Sequence, residues 1–114
     1  MRVLSDQLAV PEPIVEYRSH GATAVRLAHG AGEAHAYLLH FEAGGEIGRH
    51  EAGFGQLFVV VAGEGWVSGD DGVRVEVSSG DVVMFDRSER DSKGTDTGMS
   101  VVMVQVRDLD VADG

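Results

Sequence analysis

Short runs of alternating apolar and polar residues follow one another along most of this 114-residue chain. Val25 and Leu27 alternate with Arg26 in the stretch 22–29, and the same period recurs in 73–77. Alternation with a period of two is typical of β-strands that bury one face. Because no segment shows a sustained helical period, the pattern predicts an all-β protein, an antiparallel barrel or sandwich.

Six further stretches complete the predicted set of strands. They are His35–Glu42, Glu46–Glu51, Gln56–Ala62, Trp66–Ser68, Asp81–Phe85 and Met99–Val106. Turns are predicted at the glycine-rich segments between strands, namely Gly30–Gly32, Gly44–Gly45, Gly63–Gly65 and Ser78–Gly80. Asp70–Gly72 carries the Asp-Gly pair that favours a tight hairpin.

Two of the predicted strands, 36–41 and 99–106, are apolar on both faces. One small barrel buries only the inner face of each strand, so the outer apolar face needs another cover. The sequence therefore predicts a homodimer.

The length of the chain allows a single domain of ordinary size. Residues 1–21 contain both prolines, Pro11 and Pro13, and are predicted to form an extended N-terminal arm. Residues 22–107 are predicted to form the barrel domain, and residues 108–114 an acidic C-terminal tail.

Composition excludes several classes of function. The formal net charge of -10 disfavours nucleic acid and anionic membrane surfaces as partners, because both are bound through clustered Lys and Arg. Cysteine is absent, which excludes disulfides, thiolate metal sites and thiol nucleophiles. The first residues lack the apolar core of a secretory signal, so we expect a cytoplasmic protein.

Two segments, 44–63 and 80–95, resemble the two sequence motifs of the cupin superfamily. Gly44, His50 and Gly63 match the first motif in spacing, and Gly80 with the run GDVVMF after it matches the second. The resemblance extends over 37–106. It implies a small antiparallel β-barrel, the double-stranded β-helix or jelly roll, with a metal or a small ligand inside.

The ligand positions of the family are largely replaced in this chain. Ala52 stands at the second histidine, Gln56 at the glutamate and Asp91 at the third histidine, while Thr95 replaces an asparagine. Since side chains alternate across a strand, His50, Gln56 and Asp91 are predicted to face one cavity.

The resemblance implies that these three residues would ligate a metal, if one is bound. Ala52 offers no ligand atom, and a neutral amide is a weaker donor to a divalent cation than a carboxylate. We therefore expect no tightly bound catalytic metal and leave open weak occupancy by a divalent transition metal.

Three roles for His50 remain open: a hydrogen-bonded residue at the barrel mouth, a general base oriented by Asp91, or a metal ligand. Candidate ligand-binding residues are His50, Gln56, Phe54, Phe58, Phe85 and Arg49. Arg49, Arg87 and Arg90 flank the motifs and could bind an anion, or pair with neighbouring carboxylates.

The predicted function is binding of a small molecule in the barrel. The alternative is an enzyme, either a metal-independent isomerase, epimerase or cyclase using His50 and Asp91 as catalytic residues, or a dioxygenase-like protein with an unusual metal set.

Overall fold

Antiparallel strands form nearly all the regular structure of the computed structural model, which describes residues 1–112. The ten strands of these residues are β1 (Arg2–Val3), β2 (Glu12–Pro13), β3 (Thr23–Ala24), β4 (Ala28–Phe41), β5 (Glu46–Glu51), β6 (Gly55–Ser68), β7 (Arg74–Ser78), β8 (Val82–Phe85), β9 (Arg90–Gly94) and β10 (Met99–Val111). Two short 3-10 helices, Leu4–Asp6 and Glu16–Arg18, lie near the start of the chain. The prediction of an all-β antiparallel fold is confirmed.

Strand β6 belongs to both layers of the barrel. Its first half pairs with β8 and β10 in a layer ordered β1-β8-β6-β10-β4. Its second half pairs with β7 and β9, and β9 pairs in turn with β5. The chain changes layers at Gly63, whose φ of 79° favours glycine and where an added Cβ would lie 2.3 Å from the Gly98 carbonyl oxygen. The predicted turn at Gly63–Gly65 is therefore wrong, because the strand bends there without ending.

A second predicted turn, Gly30–Gly32, is also part of a continuous strand. β4 passes through it and pairs with β10, whose register shifts between Val106 and Asp108. At this bulge the backbones approach closely, and a Cβ on Gly30 would lie 2.5 Å from the Asp108 carbonyl oxygen. These glycines permit a close approach of two strands, a role that the sequence does not distinguish from a turn. By contrast, the hairpin predicted at Asp70–Gly72 is confirmed by the Gly72 amide donating to the Gly69 carbonyl at 3.0 Å.

The two ends of the described chain are tied to the barrel. β10 continues past its predicted end, and Val111 pairs with Ala28. At the other end β1 pairs with β8, and Leu4 is buried. The division into arm, domain and tail stays a prediction, with residues 113–114 of the tail outside the described range.

Alternation along the strands creates two apolar clusters on opposite faces of the larger layer. The cluster between the layers consists of Phe41, Phe58, Val60, Val67, Val77, Val83, Phe85, Met99 and Val101. The cluster on the outer face is built on Leu4, Val82 and Met84. None of the helices in residues 1–112 is long and apolar enough to cross a bilayer.

Candidate functional site

A buried polar cluster lies inside the barrel, between β9 and the first half of β6. Lys93 Nζ donates to Gln56 Oε1 at 2.8 Å and to Asp91 Oδ1 at 2.6 Å. Asp91 and Lys93 point inward together because they are two residues apart on β9, while Gln56 reaches the same place from β6. We call these three residues the Lys93 cluster.

The Lys93 cluster is shielded from water by aromatic rings. Lys93 and Asp91 are 1% and 0% exposed, and Gln56 is 3% exposed. The Lys93 ammonium lies 4.5 Å from the centroid of the Phe85 ring and 5.7 Å from that of Phe58, within the range of cation–π attraction. Charged side chains are rarely buried unless each has an oppositely charged, hydrogen-bonded partner, as Lys93 and Asp91 have here.

The pKa of Lys93 reflects two opposing effects. Burial lowers it from its ordinary value because the charged form loses hydration, and the hydrogen bond and charge of Asp91 oppose this change. Titratable groups perturbed in this way are enriched at functional sites.

One acceptor of the Lys93 cluster is unpaired. Within the described part of the chain, Asp91 Oδ2 is buried and has no hydrogen-bond partner. Such an atom loses its hydration without compensation, at a cost of about 1–3 kcal/mol or more for a charged group. Unpaired buried acceptors are uncommon in native proteins, so this atom points to a missing donor.

A row of directly paired residues leads from the surface to the cluster. His35 pairs with Gln105, Gln105 with Gln56, and Gln56 with Phe85, across β4, β10, β6 and β8. Directly opposed residues in an antiparallel sheet share a face. Exposure falls along the row, from 43% for the His35 side chain to 3% for Gln56. We call the exposed end of this row, at His35, the barrel mouth.

His50 does not join the cluster. It is exposed, and its Nδ1 lies 2.8 Å from the Gly48 carbonyl oxygen, to which the ring N–H donates. His50 and Asp91 are partners in the β5–β9 register, yet no hydrogen bond or ion pair joins their side chains in residues 1–112. The two residues start on the same face of the sheet, but the His50 ring remains at the surface, bonded to the Gly48 carbonyl.

The other predicted ligand-binding residues divide between the barrel and its surface. Phe58 and Phe85 are fully buried, with ring centroids 6.2 Å apart in an edge-to-face arrangement beside Lys93. Phe54 packs at the mouth against His35, with 5.8 Å between ring centroids. Arg49 instead donates to the Gly69 and Asp70 carbonyls, at 3.1 and 2.7 Å, and braces the β6–β7 hairpin.

Two clefts on the surface lie away from the Lys93 cluster. The larger, of about 550 Å³, separates the N-terminal segment from the end of β10, and Leu8, Ile14 and Val111 are among its lining residues. The smaller, of about 440 Å³, is lined by Trp66 and acidic residues, and Arg74 stacks on the same indole at 3.7 Å. Among residues 1–112, neither cleft contains an unpaired buried polar atom, so the cluster is the better candidate site.

The residues present do not fit the metal that the resemblance implies. Gln56 Oε1 and Asp91 Oδ1 both accept from Lys93, so a cation already lies between two of the three expected ligands. The third, His50, is directed to Gly48. Residues 1–112 contain no group of three or more His, Asp or Glu side chains that could hold a metal ion.

Lys93 is the residue that the sequence interpretation missed. It is the only lysine of the chain, and it stands in the polar run RDSKGT. The spacing of two residues between Asp91 and Lys93 could have indicated its position, because residues two apart on a strand share a face. Gln56 and Asp91 both face the interior, as expected, and it is the Lys93 ammonium between them that joins their side chains.

Comparison with known proteins supports the fold. No protein-family model matches the sequence, and no curated protein matches it either. An RmlC-like cupin from Shewanella frigidimarina is 25% identical, over 66% of this chain and 67% of that chain, with a TM-score of 0.62. A cupin superfamily protein from Desulfitobacterium hafniense is 15% identical, over 72% of this chain and 77% of that chain, with a TM-score of 0.62.

One similar structure is a named enzyme. The DMSP lyase DddQ from Ruegeria pomeroyi is 18% identical, with a TM-score of 0.59, and the match covers 64% of this chain but 38% of the lyase. At this identity the likeness concerns the fold alone. The antiparallel layers, the strand shared between them and these structural similarities show that the chain has the cupin fold, which confirms the family resemblance that its glycines and strands indicate.

Proposed function

We propose that the protein binds a small hydroxyl-bearing molecule inside the barrel, next to Asp91 and Lys93. The observation that carries this proposal is the buried Asp91 Oδ2, which lacks a donor within the described residues. A ligand that donates a hydrogen bond to this atom would remove the cost of leaving it unpaired.

The free donor and acceptor positions of Lys93 and Asp91 indicate which class of ligand would fit. An ammonium has three N–H donors, and two of those on Lys93 are directed to Gln56 and Asp91. A ligand that donates to Asp91 Oδ2 and accepts from the third N–H would match both groups, and a hydroxyl does both. The flanking rings of Phe58 and Phe85 suit a ligand with an apolar part, as in most small-molecule sites.

A thermal-shift screen over small polyols, sugars and hydroxy acids tests the proposal, since a ligand that binds only the folded state raises the melting temperature. We expect at least one class to stabilise the parent protein and to lose its effect in Asp91→Asn. Asp96→Asn, at an exposed position, is the matched control and should respond like the parent. A panel that leaves the parent unchanged, or an equal response in Asp91→Asn, contradicts the proposal.

A second candidate function is metal-independent acid–base catalysis. It is favoured by the geometry of the pair, since the Lys93 amine lies 2.6 Å from the Asp91 carboxylate, and burial lowers the pKa of Lys93 from its ordinary value. Lys93 and Asp91 would then take the roles that the sequence suggested for His50 and Asp91. Conversion of a bound hydroxy or carbonyl compound by the parent, and its loss in Lys93→Met, would distinguish catalysis from binding.

The predicted homodimer is retained as a proposal. Leu38, Val102 and Val59 lie side by side on the outer face of β4, β10 and β6, and Leu38 is 75% exposed. An aligned apolar row of this kind fits a second copy of the same surface, because a twofold interface is self-complementary. Light scattering at micromolar concentration tests it, and a monomer would contradict it.

A further inference from the structure

Lys93 stands between two oxygen atoms that come from different strands. Gln56 Oε1 on β6 and Asp91 Oδ1 on β9 approach its Nζ at 2.8 and 2.6 Å. The remaining directions include the faces of Phe85 and Phe58. The ammonium is thus surrounded as a bound cation would be, by two oxygen donors and two aromatic faces.

The two oxygen donors occupy positions at which the motif resemblance implies metal ligands. A divalent ion that used Gln56 Oε1 and Asp91 Oδ1 would have to displace the ammonium from both. It would also lie beside a like charge in a site with little water, where repulsion is weakly screened.

We propose that the Lys93 ammonium is a tethered cation that takes the place of a metal ion in this barrel and excludes divalent ions from it. The lysine links β6 to β9 and neutralises Asp91, as a metal would, but it cannot be removed by a chelator. The inference goes beyond the proposed function, because exclusion of divalent ions by Lys93 does not require that a hydroxyl-bearing ligand bind.

A pair of variants tests the effect of the ammonium. Gln56→Glu supplies a charged ligand while Lys93 is retained. The double variant Gln56→Glu/Lys93→His removes the ammonium and places an imidazole two residues from Asp91 on the same face. Two carboxylates and an imidazole form a set that suits Zn²⁺ or Ni²⁺. A third variant, Gln56→Glu/Lys93→Met, removes the ammonium without adding an imidazole and should also bind Zn²⁺ more tightly than Gln56→Glu.

Calorimetry of metal-free proteins with Zn²⁺ and Ni²⁺ at fixed pH provides the measurement. We expect the double variant to bind one equivalent at least about tenfold more tightly than Gln56→Glu, which keeps the competing ammonium. Equal affinity of the two variants would overturn the proposal, because the ammonium would then exclude nothing. Failure of both folded variants to bind would also overturn it, since the block would lie elsewhere.

A measurement on the parent protein decides the matter if the double variant does not fold. Because Lys93 is the only lysine, labelling with ¹⁵N-lysine gives a single side-chain signal. The proposal requires a charged ammonium at neutral pH whose signal does not change when Zn²⁺ is added. A neutral amine, or displacement of the signal by Zn²⁺, would refute it, whatever the polyol screen shows.

Discussion

The inner and outer faces of the larger layer carry opposite chemistry. On the inner side, Gln56 accepts a hydrogen bond from the buried Lys93 ammonium, which also donates to the buried Asp91 carboxylate. On the outer side of the same strands, Leu38 and Val61 are exposed to solvent, at 75% and 47%. In an ordinary small domain the polar groups face water and the apolar groups face the core.

The difference teaches that neither face is explained by folding of a single chain. A buried ion pair contributes little net stability compared with apolar residues of similar size, because the loss of hydration offsets the attraction. An exposed leucine contributes little either. The two proposals account for both arrangements, with a small ligand on the inner face and a second copy on the outer face.

The largest effect is expected from breaking the inner pair. Lys93→Met leaves Asp91 as an uncompensated buried charge, and such a change costs about 3–5 kcal/mol. Urea unfolding at neutral pH measures the loss. The double variant Lys93→Met/Asp91→Leu should regain most of it, because the charge is removed together with its partner. If Lys93→Met is as stable as the parent, Lys93 and Asp91 do not form a buried ion pair.

The outer face is tested by Leu38→Lys. If two copies pair there, burying this side chain contributes about 1.5–3 kcal/mol per copy, so the charged variant should dissociate the dimer at micromolar concentration. The unfolding free energy of the monomer should change by less than about 0.5 kcal/mol, as at other exposed positions. Val73→Lys, at a 60% exposed valine beside the β6–β7 hairpin, should leave the oligomeric state unchanged.

The pH dependence of stability sharpens the contrast at the inner face. Because the pKa of Lys93 is lowered in the folded state, the unfolded chain binds more protons between that lowered value and 10.5. The contribution of Lys93 to the unfolding free energy should therefore rise with pH across this window and level off above it. Lys93→Met lacks this contribution, so the unfolding free energy of the parent minus that of the variant should grow with pH. A difference that falls as pH rises contradicts the lowered pKa.

The smallest effect is expected from an exposed pair at the rim. His35 contacts Glu33 at 2.6 Å, and this hydrogen bond lowers the pKa of Glu33 below its ordinary 4.5. The associated stability is present above pH 4.5 and is lost as pH falls through the lowered value. Solvent screens the pair, so Glu33→Gln should change the melting temperature far less than Lys93→Met. If both variants changed the melting temperature by a similar amount, solvent exposure would not explain the difference between the two ion pairs.

Much of the fold could be predicted from the sequence, because alternation and glycine spacing report the strand period directly. The bulges could not, since a glycine that permits close approach looks like a glycine that turns the chain, as at Gly30 and Gly63. His50 was assigned to the interior by its period, and it does lie opposite Asp91, but its ring is exposed and bonded to the Gly48 carbonyl, which a period does not reveal. Lys93 was missed because a lone lysine in a polar run indicates a solvated turn, and only tertiary burial gives it another role.

Strand β6 also has a consequence for the order in which the protein folds. Its pairing with β7 closes a short hairpin, whereas β10 must return from far along the chain to pair with both β6 and β4. Contacts between distant segments form slowly, because the entropy of closing the long loop is lost before they stabilise anything. We therefore expect the β6–β7 hairpin to form first and the docking of β10 to limit the folding rate, so that the barrel mouth is the last part of the molecule to close.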